Sequence, residues 1–414
     1  MRDVPLEWAR PEKRMILVLN AGSSSLRCAL FRDGDDTALW RVHVAGIGGV
    51  AQLRVTGDLD LESDVPQSGD IGTVVAWLLA RLQRLPDLRL RAVGHRIVHG
   101  GVRHVGPARI DGPLIAELES LVPLAPGHQP QGLACIAAAG EAWSGLPQVA
   151  CFDTAFHRTQ DRLAQIEAIP RSLTKDGLLR FGFHGLSYAH IAGVLPRLIG
   201  ERAKERIVVA HLGHGASLCA MADGCSVATT MGLTTLGGLM MGTRSGTVDP
   251  GLVLHLIQSR GMTPSEVADL LNKRSGLLGV SGISDDIRVL EASAAPEARE
   301  ALDLFAYRIV RETGSLAAAL GGLDALVFTG GIGENSASVR YAVCRRLAFL
   351  GLDLDPRRNT EGCPRIDQNG STVPILVIPA DEEREIADEA RSLGGIGSYA
   401  PETKPQAGNA PAPA

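Results

Sequence analysis

Two arginines of this chain lie in glycine-rich turns: Arg96 in His95-Arg-Ile-Val-His-Gly-Gly101 and Arg244 in Met240-Met-Gly-Thr-Arg-Ser-Gly246. A planar guanidinium can hold two oxygens of a phosphoryl or carboxyl group at once. Taken singly, each arginine reads as a surface ion pair; taken together, they read as an anion clamp. His184, in Phe181-Gly-Phe-His-Gly185, and the run Cys151-Phe-Asp-Thr-Ala-Phe-His157 offer a second kind of chemistry. A histidine in such a setting either donates to charge developing on a transferred phosphoryl group or is a satisfied core residue. His95 and His99 have a spacing that some zinc helices use, but Gly94, Gly100 and Gly101 oppose a helix and no Glu follows His95, so zinc is not expected.

Two loops of small residues follow apolar runs, one from Gly22 and one from Gly213. Backbone N–H groups in such loops can approach a phosphate closely, although a tight hairpin uses the same residues. Neither loop is a Walker loop, and no Gly-x-Gly-x-x-Gly occurs in Rossmann context. Further on, Thr329-Gly-Gly-Ile-Gly-Glu-Asn335 can pass close to a nucleoside. Asp381-Glu-Glu383 offers carboxylates either to Mg²⁺ or to a solvated helix N-terminus.

The elements that must position these groups are legible from periodicity. Short apolar runs at Ile16 to Leu19, Ile207 to Ala210, Ala325 to Phe328 and Pro374 to Ile378 alternate with stretches of helical period, an α/β pattern. Val75, Leu78, Leu79 and Leu82 mark one helix; Leu302, Phe305, Ile309, Leu316 and Leu320 mark another that stops at Gly321-Gly322. The run Ile16 to Leu19 with its loop and Cys28-Ala-Leu30 is echoed by Ile207 to Ala210, Gly213 and Cys219-Ala-Met221. A weaker echo pairs Arg91 to Gly101 with Asp324 to Gly333, so a duplicated unit is expected.

A chain of 414 residues has length for two domains and a cleft between them. A net charge of -5 argues against a nucleic-acid partner. Seven scattered cysteines with no Cys-x-x-Cys pair suggest a reducing compartment, and no apolar run is long enough for a membrane span. The charged first 13 residues and the Pro/Ala/Gly-rich tail are expected to be disordered.

In combination, the segments resemble the acetate and propionate kinases of the acetokinase, hexokinase, Hsp70 and actin superfamily. The resemblance runs from about Met15 to Leu393. It is carried by Asn20-Ala-Gly-Ser-Ser-Ser-Leu, Gly94-His-Arg-Ile-Val-His-Gly-Gly, Phe152-Asp-Thr-Ala-Phe-His, Phe181-Gly-Phe-His-Gly, His211-Leu-Gly, Met241-Gly-Thr-Arg-Ser-Gly, Gly331-Ile-Gly-Glu-Asn and Asp381-Glu-Glu. It implies an α/β fold of two duplicated actin-like, ribonuclease H-like domains flanking an active-site cleft. Residues 14–155 with 384–398 would form the first domain and 156–383 the nucleotide-binding second, with 1–13 and 399–414 disordered. It implies reversible, direct transfer of the γ-phosphoryl of ATP to a short-chain carboxylate, with Mg²⁺ or Mn²⁺. A cytoplasmic homodimer acting on small molecules, with no nucleic-acid or membrane partner, is implied as well.

Carried over residue by residue, the resemblance assigns catalysis to Arg96, Asp153, His184, Arg244 and His128. Arg96, Val98, Phe183, Gly127 and Thr235 would meet the carboxylate. Arg27, His211, Gly213, His214, Gly215, Asp286, Gly330, Gly331, Ile332, Gly333 and Asn335 would meet the nucleotide, and Asn20, Glu382 and Glu383 the metal. The chain departs from the family at several of these positions. Arg27 stands where Lys is usual, His214 where Asn is, Val102 where Glu is common, Gly127 where Leu is and Thr235 where Pro is. The loss of an isobutyl group at Gly127 predicts room for an acid larger or more polar than acetate. Two other readings use the same fold or class: an actin-like ATPase or assembly protein, and an acyl kinase that uses pyrophosphate.

Overall fold

The computed structural model describes residues 14–61, 64–67 and 69–393. The expected disordered ends, and residues 394–398 of the expected first domain, lie outside them.

The apolar runs form strands of two sheets. The first has β1 (Met15–Ala21), β2 (Ser25–Arg32), β3 (Ala38–Ala45), β4 (Gln52–Gly57), β5 (Leu90–Ile97), β6 (Ala108–Arg109) and β7 (Gln148–Phe152), in the order β4-β3-β2-β1-β5-β7-β6. The second has β8 (Ile207–Leu212), β9 (Ala216–Ala222), β10 (Cys225–Thr229), β11 (Ala325–Thr329) and β12 (Ile375–Val377), in the order β10-β9-β8-β11-β12. In each sheet a three-strand antiparallel meander is extended by two parallel strands, so β3-β2-β1-β5-β7 corresponds to β10-β9-β8-β11-β12. Both sequence echoes thus fall on corresponding strands, β1-β2 with β8-β9 and β5 with β11.

Strands buried on both faces read as continuous apolar runs. Ile16 to Leu19 and Ile207 to Ala210 are all at or near zero exposure for this reason. Helix Ile71–Leu82 covers one sheet with Val74, Val75, Leu78, Leu79 and Leu82. Helix Pro296–Leu320 covers the other with Phe305, Ile309 and Leu316, and ends at Gly321, whose left-handed φ of 75° closes it. Helix Glu382–Leu393 follows β12 in sequence but buries Ile386, Ala387 and Ala390 with Ile16, Val18 and Ala92 of the first sheet. That return brings Glu382 and Glu383 to the end of β1.

Candidate active site

Ligands of parallel α/β sheets gather at the carboxyl ends of the strands. Asn20 is near the end of β1, Arg96 near the end of β5, Asp153 just past β7, His211 near the end of β8, and Gly330 directly after β11. The carboxyl ends of both sheets therefore supply the candidates.

Arg96 is anchored before any ligand arrives. Its Nε donates to both Asp153 oxygens at 3.1 Å and its Nη2 donates to Oδ2 at 2.6 Å. Asp153 is 1% exposed, so the pair sits in low dielectric. Burial works against the guanidinium charge, but Asp153, Glu382 and Glu383 outweigh it and raise the Arg96 pKa. Among the described residues Arg244 has no such partner. Its Nη1 donates to the Thr235 carbonyl at 2.7 Å, and burial with the nearby Arg96 charge brings its pKa down to about 10. Arg244, near Arg96 and bonded to a neutral carbonyl, leaves its positive charge for an anion.

His184 occupies a left-handed conformation, φ 60° and ψ 23°, at the head of helix Gly185–Ile199. Such backbone is uncommon outside glycine and concentrates at functional positions. The following residue has no room for a side chain, because a Cβ at position 185 would lie 2.2 Å from the Asp153 carbonyl. That contact ties the histidine to the Arg96–Asp153 pair. The imidazole stacks on His211 with centroids 4.3 Å apart, and its Nδ1 is 2.9 Å from Ser217 Oγ, which also meets the Tyr188 hydroxyl. Burial, then His211, Arg96 and Arg244, hold its pKa well below the usual histidine value. His128 is driven down to about 3 by burial and the charges of Arg244 and Arg96. His211, whose Nδ1 meets Ser187 Oγ at 2.8 Å, is lowered to about 4, chiefly by burial. Three neutral imidazoles thus sit beside two guanidinium groups.

The loop from Gly213 passes over this cluster. A Cβ at position 215 would lie 3.0 Å from Arg244 Nη2 and 3.3 Å from His184 Nε2, so Gly215 backbone borders both. His214 turns outward, its Nε2 3.0 Å from Asp285 and its ring against Gly242. Past β11, a Cβ at Gly331 would meet nothing within 4 Å, Ile332 is 9% exposed, and Asn335 Nδ2 donates to the Gly331 carbonyl. Gly330, with φ 77°, and Gly333 lie close to Leu212 and Ala210 of β8. Asp286 caps helix Ile287–Ala292 and accepts from Arg288.

Asn20 Nδ2 donates to Glu382 at 3.0 Å and to Glu383 at 2.8 Å, while its Oδ1 faces Arg96 Nη1 at 3.5 Å. Arg41 donates to Glu383 and Asp381, and Arg27 approaches Glu383 at 3.9 Å. The acidic triplet is therefore no solvated helix start, since Glu382 and Glu383 are both buried. Among the described residues no group of three or more His, Cys, Asp or Glu side chains is arranged to hold a metal ion. Among the same residues no helix is long and apolar enough to cross a membrane.

Val98 and Phe183 share one apolar cluster with Ala125. Gly127, in the loop before His128, is exposed, and a Cβ there would meet nothing within 4 Å. Thr235 enters through its carbonyl, the Arg244 acceptor. Ser187, Tyr188, Ser217 and Arg41 were not singled out in the sequence. Ser217 lies in β9, within the repeated strand-loop-strand unit, and is open to notice; nothing local marks Arg41, whose carboxylate partners are over 300 residues away.

The acetokinase family model matches residues 15–388. The acetate kinase of Rhodopseudomonas palustris is 48% identical over 384 residues, covering 90% of this chain and 96% of that one. The acetate kinase of Nitrobacter hamburgensis is 46% identical over 392 residues, covering 91% and 96%. A propionate kinase from Francisella tularensis superposes with a TM-score of 0.84 at 35% identity, covering 91% of this chain and 98% of that one. The Porphyromonas gingivalis acetate kinase gives 0.81 at 36%, covering 92% and 99%. With its duplicated sheets and the motifs of its cleft, the chain belongs to the acetokinase family.

Proposed function

We propose that this carboxylate kinase moves the γ-phosphoryl of ATP to a short-chain carboxylate, reversibly and by direct in-line attack of the carboxylate oxygen. The observation that carries the mechanism is the convergence of Arg96, Arg244, His184 and His128 from both sheets on one cleft. A loose phosphoryl transition state needs positioning and charge neutralisation, not a nucleophilic side chain. Arg96, held by Asp153, orients the carboxylate; Arg244, without a carboxylate partner among the described residues, meets the phosphoryl group. In this mechanism Ser217 Oγ donates to His184 Nδ1, 2.9 Å away, and His184 is the tautomer with its proton on Nε2. From there it donates to an equatorial oxygen, and His128 approaches the same group. His211, Gly213, Gly215 and Arg27 face the phosphate chain, with His214 at its rim. Asp286, Gly330, Gly331, Ile332, Gly333 and Asn335 form the nucleoside pocket.

The donor set beside Asn20 suits Mg²⁺, or Mn²⁺. Glu382 and Glu383 are hard oxygen donors buried side by side, and burial together with the Glu382 charge pushes the Glu383 carboxyl up, a strain that a divalent cation relieves. Asn20, Glu382 and Glu383 would hold the ion, which when bound neutralises the nucleotide's phosphate oxygens. The missing side chain at Gly127, where a Cβ would meet nothing within 4 Å, supports a carboxylate larger or more polar than acetate.

Residues 14–155 with 384–393 serve as one domain and 156–383 as the other, because helix Glu382–Leu393 packs on the first sheet. All seven cysteines are free, in keeping with a cytoplasmic protein. The apolar helix Pro250–Gln258 buries none of its residues and leaves Leu252 and Leu254 43% and 54% exposed, a surface suited to a homodimer.

The test is a carboxylate panel with ATP and Mg²⁺, trapping acyl phosphate as hydroxamate, run beside Arg244→Ala. Turnover in that variant is expected to fall by orders of magnitude. Near-normal turnover would remove Arg244 from the site. No acyl phosphate from any acid would sink the kinase reading, and product from pyrophosphate alone would change the donor.

A further inference from the structure

The two segments that wall the proposed nucleoside pocket come from different parts of the chain. The turn Gly330–Asn335 continues directly from β11, whereas Asp286 heads the short helix Ile287–Ala292. Their separation decides whether a nucleoside fits between them, and one side chain joins them. Glu291 Oε1 accepts hydrogen bonds from both Ser336 Oγ and Ser338 Oγ. Ser336 is 4% exposed, its N–H donates to the Ile332 carbonyl at 2.9 Å, and its hydroxyl oxygen also accepts from Val339 N–H. The carboxylate of one wall is thereby fastened to the residue that closes the other.

Apolar packing holds the region from within, since Ile287 and Leu290 share one buried cluster with Ile332, Val339 and Val343. Glu291 and Ser338 line a half-open surface groove of about 630 Å³ between helix Pro296–Leu320 and helix Ala337–Arg346, with Leu302, Ala306 and Ala342 on its apolar side. Protein interiors normally fix spacing by interdigitated side chains. At the open rim, where that packing ends, the charge-assisted pair of hydrogen bonds from Ser336 and Ser338 fixes the position of Glu291. We infer that Glu291 is a positioning residue for the nucleotide, setting the distance between Asp286 and the Gly331–Ile332 turn through Ser336 and Ser338.

This rests on the nucleotide reading above, and the two can fail separately. Removing a hydrogen bond pair to a charged group in Glu291→Leu is expected to raise the KM for ATP about tenfold. At saturating ATP, kcat and the carboxylate KM should stay within about twofold of wild type. Glu291→Gln, whose amide oxygen still accepts from both hydroxyls, should restore most of the ATP affinity. In nucleotide-free protein, amides 330–335 of Glu291→Leu should exchange hydrogen faster than in wild type. Should Glu291→Leu fold poorly, Ser338→Ala removes one of the two bonds and is expected to shift the ATP KM in the same direction by about twofold. An unchanged ATP KM, a parallel rise in both KM values, or a Gln variant no better than Leu would overturn the role. Unchanged exchange at 330–335 in Glu291→Leu overturns the fastening itself, independently of ATP. Wild-type protein that binds no ATP by calorimetry overturns the nucleotide reading instead.

Discussion

Asp153 accepts from Arg96 at both carboxylate oxygens, with Nε equidistant from the two at 3.1 Å and Nη2 at 2.6 Å from one of them. A side-on pair of this kind fixes the guanidinium plane while leaving Nη1 turned toward Asn20. Asp153→Ala would leave a buried cation without its counter-charge, at a cost of about 3–5 kcal/mol. The expected outcome is a large fall in melting temperature together with loss of turnover. Asp153→Asn retains an acceptor and should fold, yet lose about a hundredfold in kcat/KM for the carboxylate because Arg96 is no longer held in one plane. Thermal unfolding and steady-state kinetics of the two variants check this; an Asn variant with wild-type kinetics would refute it.

Gly215 is a position where one carbon separates two requirements. Its added Cβ would stand 3.0 Å from Arg244 Nη2 and 3.3 Å from His184 Nε2, the two groups proposed to meet the phosphoryl unit. The far end of an arginine can shift to admit a methyl group, so Gly215→Ala should fold with little loss of stability. Displacing either group by a few tenths of an ångström is expected to reduce kcat by about tenfold or more. If kcat is unchanged while the melting temperature drops, Gly215 serves the fold and not the chemistry.

The duplicated sheets were legible because buried strands leave continuous apolar runs, and two runs followed by the same small-residue loop marked corresponding strands. Arg96, His184 and Arg244 were legible because glycine neighbours are required where backbone crowds a site, as at Gly185 and Gly215. What stayed hidden was pairing across distance. Nothing around Arg41 signals Glu383, and nothing around Glu291 signals Ser336, since such contacts depend on how helices return to a sheet. Asp381-Glu-Glu383 illustrates the limit: the triplet alone fits a solvated helix start equally well, and only the packing of Ile386 and Ala390 on the first sheet buries its glutamates.

The open space at Gly127 makes a prediction about acid size. Adding Leu at this position should supply an apolar side chain to the wall proposed to meet the acyl group with Val98 and Phe183. One methylene in an apolar pocket changes discrimination by about 10- to 200-fold. The wild type is expected to favour propionate or a larger acid over acetate in kcat/KM, and Gly127→Leu to reverse that order by about tenfold or more. A wild type that clearly prefers acetate would defeat the size argument.

Acid lability follows from the buried imidazoles. Burial is the main cause lowering His95, His99, His157 and His211 to about 4 and His128 to about 3, against an ordinary 6.5. Between pH 6.5 and about 4 the unfolded chain binds these protons and the folded chain does not, so stability must fall as pH falls. Each buried imidazole contributes roughly 1 kcal/mol per pH unit over that window. Glu385 and Glu389 act in the opposite sense, because burial raises both from 4.5 to about 7 and the folded form takes up their protons first. His43, His184 and His190 are lowered as well and Asp153 and Glu383 raised, so eight histidines outweigh four carboxyls and the urea midpoint should drop steadily from pH 6.5 to pH 5. A midpoint that holds constant or rises over that interval would show that these histidines are hydrated in solution, and with them the neutral state assigned to His184 would be lost.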